Sequence, residues 1–164
     1  MTTRNITLAL TAAAALSFTA VAPATAEAQH GSDAPVQITS GEFETLPGGS
    51  TLGYDIDGRA VMIRLPHRTL VAVHLRGLAP DTTYPAHVHN APCSNTPPGG
   101  GHYQHEVGGP VDPVNEIWPT VATNRHGRGH GLAAHDHRAR PDAQSIIIHY
   151  PPDTSVRLAC VDLA

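Results

Sequence analysis

Turn-forming residues punctuate this chain so closely that little of it has room for a long helix. From Val36 onward the segments are short, and Gly or Pro stands at nearly every boundary: Leu46-Pro47-Gly48-Gly49, Asp57-Gly58, Leu65-Pro66 and Ala79-Pro80. Pro withholds a backbone donor and Gly takes up left-handed turn conformations without strain, so this spacing marks the reversals of an all-β sandwich or barrel. Between the breaks apolar residues alternate. In residues 69–76, Val71, Val73 and Leu75 fall on one face, while Ala72, His74 and Arg76 fall on the other. That is the period of a half-buried strand, and it turns His74 away from the core. Residues 36–45, 60–65, 118–123, 132–137, 145–150 and 155–161 read the same way, and no segment sustains a helical period.

The first thirty residues are of another kind. Arg4 is the only charge before an apolar stretch, residues 6–22, made largely of Ala, Leu and Thr and followed by Ala24-Thr25-Ala26. This pattern predicts a signal peptide over residues 1–26, cleaved near Ala26 or Ala28. A membrane anchor would need about 20 strongly apolar residues, and the interrupting Thr residues and Pro23 argue against one. Residues 27–35 read as a flexible polar lead and residues 36–164 as the domain, which is long enough for one core and too short for two. The expected location is the periplasm, the cell envelope or the exterior. With a formal net charge of −4 and no run of Arg, neither nucleic acid nor an anionic membrane surface is an expected partner.

Histidine then carries the chemistry. The twelve His outnumber the ten Lys plus Arg, a balance that suggests metal in an exported protein. His87 and His89 are two apart on a predicted strand, so their imidazoles share a face. His102 and His105 follow in a Pro- and Gly-rich stretch, residues 90–117, that lacks apolar alternation and is long enough to be a functional loop. His149 ends the apolar run Ile146-Ile147-Ile148. Imidazole suits copper and zinc, and the chain offers no spare thiolates for a Cys-rich zinc site. Cys93 and Cys160 read as one disulfide in an oxidising compartment. A pair of Cys ligands is the alternative, although the histidines gather around Cys93 while Cys160 stands alone near the terminus.

The order Gly77-Leu78-Ala79-Pro80, His87-Val88-His89, Cys93, Gly101-His102-Tyr103, Gly108-Gly109-Pro110, Ile148-His149 and Val156-Arg157-Leu158-Ala159-Cys160 resembles the copper-zinc superoxide dismutases, over about residues 36–164. The resemblance implies a Greek-key β-barrel or sandwich of about eight strands with long metal-binding loops and the metal outside one sheet. It implies copper on His87, His89, His102 and His149, with His102 at the position that bridges copper and zinc and as a source of protons. It also implies a Cys93–Cys160 disulfide, Arg157 beside the open copper position, and superoxide as substrate. A non-catalytic copper-binding protein on the same fold is the competing expectation.

The zinc half departs from the pattern. Val107 stands where the family has a second zinc histidine before Gly-Gly-Pro, and Val114-Asn115-Glu116-Ile117-Trp118-Pro119 replaces the segment that supplies the remaining zinc ligands. His105 and Glu116, with Glu106 and Asp112, remain as groups from which a zinc site is rebuilt; a copper-only centre is the favoured expectation. Tyr150-Pro151-Pro152-Asp153-Thr154 reads as a shortened form of the family's charged loop. His126, His130, His135 and His137 read as a Gly-rich turn feeding a strand; His135 and His137 share one face of that strand, which allows a second surface metal site, but a solvated hairpin is the favoured expectation, because Arg125, Arg128, Arg138 and Arg140 flank them and repel a cation. Trp118 is assigned to packing at the barrel end.

Overall fold

A computed structural model describes residues 34–163. The predicted signal peptide and residues 27–33 of the lead lie outside the described residues. Among the described residues, the strands are β1 (Gln37–Glu42), β2 (Glu44–Thr45), β3 (Asp57–Leu65), β4 (Arg68–Arg76), β5 (Thr83–Tyr84), β6 (Ala86–His89), β7 (Val121–Thr123), β8 (Gly129–His135), β9 (Ser145–Tyr150) and β10 (Asp153–Asp162), with a short helix α1 (Pro47–Thr51). They pair antiparallel into a six-stranded sheet, β1-β3-β4-β8-β7-β5, and a four-stranded sheet, β2-β10-β9-β6. The all-β expectation holds.

The described residues form ten strands, two of them only two residues long, where about eight were expected. Part of the difference is the expected strand 36–45, which breaks at Phe43. Its ring turns into the core, its amide donates to Gly58 O at 2.9 Å, and the chain changes sheets: β1 pairs with β3, and β2 with β10. The two-residue strand β5 is the other addition. The turn expected at residues 46–49 winds instead into α1, where Pro47 occupies the first turn as proline's fixed φ allows. Gly49 there lies against β10 so closely that a Cβ would fall 2.3 Å from Leu158 O.

Met62, Val71, Val73 and Leu75 from the larger sheet meet Val88, Ile146, Ile148, Leu158 and Val161 from the smaller one. Each such buried side chain contributes about 1.5–3 kcal/mol. What positions the site is the other face of the smaller sheet. In β6, Ala86 and Val88 point into the core, which sends His87 and His89 outward; in β9, Ile146 and Ile148 point inward and Ile147 and His149 outward. Yet His89, Ile147 and His149 are all buried. The first part of the long loop covers them.

Three features hold that cover down. The Cys93–Cys160 disulfide ties it to β10, with Cα atoms 5.8 Å apart. Cys93 N donates to Asp162 Oδ1 at 2.7 Å, and Arg157 donates to the carbonyls of Pro98 and Gly100. Gly99 completes the fit. At φ +78°, its missing Cβ would lie 2.9 Å from Ile147 Cγ1 and 3.2 Å from His89 Cβ, so a side chain here would lift the loop off the sheet. Along the rest of the loop only the isolated bridges His89↔His102 and Gln104↔Glu116 interrupt irregular backbone. β9 and β10 are joined by a tight turn at Pro151 and Pro152, the short connection that the sequence implied.

Candidate metal centre

Two strands and one loop bring four imidazoles together. The alternation of β6 aims His87 and His89 outward, the same rule in the adjacent strand β9 aims His149, and the bridge between His89 and His102 swings the loop back over them. One ligand atom from each of His87, His89, His102 and His149 lies within 4.8 Å of the others. His89 Nε2 and His149 Nε2 stand 3.4 Å apart.

The second nitrogens of two of these rings are fixed. His149 Nδ1 donates to Thr154 O at 2.7 Å, which leaves Nε2 as the free lone pair. His102 Nδ1 donates to Glu116 Oε2 at 2.7 Å, so its Nε2 is free in the same way. Such hydrogen bonds choose the tautomer and fix the plane of a ligand imidazole. Burial, and then the neighbouring His102 and His149, push the His87 pKa down to about 3. His89 is pushed down by the same causes in the same order, and burial holds His149 down at about 4. These three rings are therefore neutral at physiological pH, the form that a metal ion binds.

His87 Nδ1 is buried without a hydrogen-bond partner, a condition that costs about 1–3 kcal/mol. A cation in the centre gives that group what it lacks, so the residues present fit a nitrogen-ligated transition ion. Arg157 is the register partner of His149 across β10 and β9. Its guanidinium is close enough to lower the proton affinity of both His89 and His149.

Glu116 does not join the four histidines as a ligand atom. It is 1% exposed and gathers three donors: His102 Nδ1, Trp118 Nε1 at 2.8 Å and Gln104 Nε2 at 3.2 Å. His105 is elsewhere, stacked on His137, and Val107 is exposed. His105 and Glu116, the candidates for zinc, come from neighbouring backbone, since His105 N donates to Asn115 O at 2.8 Å and Gln104 forms a bridge with Glu116, but neither is grouped with the four histidines. The packing expected of Trp118 is against the wall of that group, its ring edge-on to His87 at 5.5 Å between centroids. A two-residue alternation from Glu116 to Trp118 was the available signal for it. His126 and His130 are not grouped with His135 and His137: His126 accepts from Arg125, and His130 faces His74 across β4 and β8.

No family model and no curated protein matches the sequence. Among solved structures, the chain is similar to the Cu/Zn superoxide dismutase from Brucella abortus, at 21% identity and a TM-score of 0.54, over 78% of this chain and 100% of that one. Identity this low shows the fold: the two-sheet sandwich described above is shared with that protein.

Proposed function

We propose that the chain is an extracytoplasmic copper-dependent superoxide dismutase, with His87, His89, His102 and His149 as copper ligands. The convergence of four imidazoles on the covered outer face of the smaller sheet is the observation that carries this reading. Four nitrogen donors without thiolate suit copper. The fold shared with a Cu/Zn superoxide dismutase favours copper and superoxide together, and the disulfide fits a compartment outside the reducing cytoplasm. Copper would supply one-electron chemistry by alternating between two oxidation states, so that two superoxide ions and two protons yield oxygen and hydrogen peroxide.

The protein's own part is to hold, attract and deliver. Thr154 O and Glu116 hold two of the rings in one tautomer. Arg157 is half-buried beside the histidines and carries a permanent charge to draw an anion. His102, half-exposed at the rim, is engaged at Nδ1 by Glu116, which leaves Nε2 as the atom that would hold copper and, whenever it is not bound to the ion, exchange a proton with substrate. Since an imidazole has two nitrogens, an ion bridged through His102 would need Nδ1, and Glu116 already engages it. We therefore read the centre as mononuclear, with no zinc on His102.

One observation favours the competing reading of a copper-binding protein without catalysis. Both terminal nitrogens of Arg157 are engaged by loop carbonyls, Pro98 O and Gly100 O, so the residue acts at least in part as a loop clamp. Arg157→Ala separates the two readings. In a dismutation assay of copper-loaded protein, catalysis falls about tenfold or more while copper affinity stays within about twofold. No dismutation above a free-copper control in the unsubstituted protein ends the enzymatic reading.

A further inference from the structure

We propose that His105, His135 and His137 form a second metal site, for one divalent transition ion such as zinc. The three rings come from two segments, the long loop and the end of β8, and meet where that loop packs against the strand. Their centroids are 3.8, 5.1 and 5.9 Å apart, against 4.2 to 6.4 Å among the rings of the four-histidine centre. Imidazoles gripping one ion at about 2.0–2.1 Å stand with centroids roughly 5 Å apart. His135 and His137 stand at that spacing, while the stacked His105 and His137 rings are closer, so the ligand atoms do not yet converge as those of the four-histidine centre do.

His135 supplies the independent observation. It is 3% exposed, and neither ring nitrogen has a hydrogen-bond partner; His105 Nδ1 is buried and unpartnered as well. A histidine that merely fills core space finds at least one partner, because each buried unsatisfied group costs about 1–3 kcal/mol. Two more imidazoles stand 5.1 and 5.9 Å from the His135 ring between centroids. A cation accepts a lone pair from one nitrogen of each ring and so removes part of the deficit.

Of the arginines that flank these histidines in sequence, two turn elsewhere. Arg138 turns away to donate to the carbonyls of Arg64 and Leu65, and Arg125 lies against His126. Arg140 stays close, bonded to the carbonyls of Gln104 and His105, but it is paired with Asp142 at 3.0 Å. Access is open. His137 is exposed, and a small cleft lined by Pro113, Val114, His135 and Asp136 reaches it from solvent. The His105 and His137 rings are stacked with planes 8° apart, so closing the site requires the exposed His137 ring to turn its lone pair toward the other two. Three histidines leave a fourth, tetrahedral position for water.

The site shares no residue with the four-histidine centre, and the Gln104↔Glu116 bridge lies between the two. Protein given one equivalent of copper and then dialysed against zinc is assayed for total copper plus zinc per chain, alongside His137→Ala and His105→Ala. His137 is exposed, so its variant tests binding without endangering the fold. Each variant is expected to hold one ion fewer than the unsubstituted chain, and that difference is read whether or not the four-histidine centre has taken copper. Equal totals in the unsubstituted chain and His137→Ala overturn the proposal.

Discussion

The two histidine clusters of this molecule are built in opposite ways. In the first, three members are set by strand register, two second nitrogens are held by Thr154 O and Glu116, and the disulfide-pinned loop closes over the top. In the second, only His135 is set by a strand, His105 and His137 sit in irregular backbone, and the buried nitrogens have no protein partner. Fixed orientation favours a tight, selective site, whereas rings that must still turn bind more weakly and less selectively.

The largest expected effect comes from removing the pin. Cys93→Ser opens a link of 67 residues, and the chain-entropy relation puts the loss near 4 kcal/mol, readable as a shift in a urea unfolding curve. Copper affinity should fall with it while the His105 cluster is spared; equal losses at both clusters would break the contrast between them. Next comes His89→Ala, which deletes a fully buried ligand. A competition titration should show copper binding weakened roughly 100-fold, about 3 kcal/mol.

Acid gives the third test. The unfolded-state pKa of His87 and His149 is near 6.5, and their folded values lie near 3 and 4. Below pH 6.5 the unfolded chain therefore binds protons that the folded chain refuses, and the metal-free protein loses stability as pH falls from about 6.5 toward 4. A flat unfolding midpoint over that window would contradict the neutral, desolvated state assigned to these rings. The smallest effect is that of Glu116→Gln, which keeps the shape but not the charge facing His102. Copper affinity should drop about tenfold, with little change in the fold, as measured by the same competition titration.

Much of the first cluster was legible in the sequence because it depends on local rules. His87 and His89 two apart on a strand share a face by geometry alone, and the clean alternation of residues 69–76 reads directly as β4. What escaped depends on tertiary contact. The change of sheet at Phe43 is enforced by a core that the sequence does not display, and β5 is too short to show a period. The second cluster was legible in part: His135 and His137, two apart, share a face by spacing alone, whereas His130, an odd five positions before His135, goes to the opposite one. His130 goes out to solvent and meets His74, while His135 goes in. Its partner His105 comes from a loop whose path no periodicity predicts.

Nitrogen hyperfine structure in the electron paramagnetic resonance spectrum of the copper(II)-loaded protein tests the central claim most directly. Four imidazole nitrogens are expected around one copper, with one lost in His149→Ala. A spectrum with fewer nitrogens, or one that His149→Ala leaves unchanged, would place the copper somewhere other than the covered face of the smaller sheet.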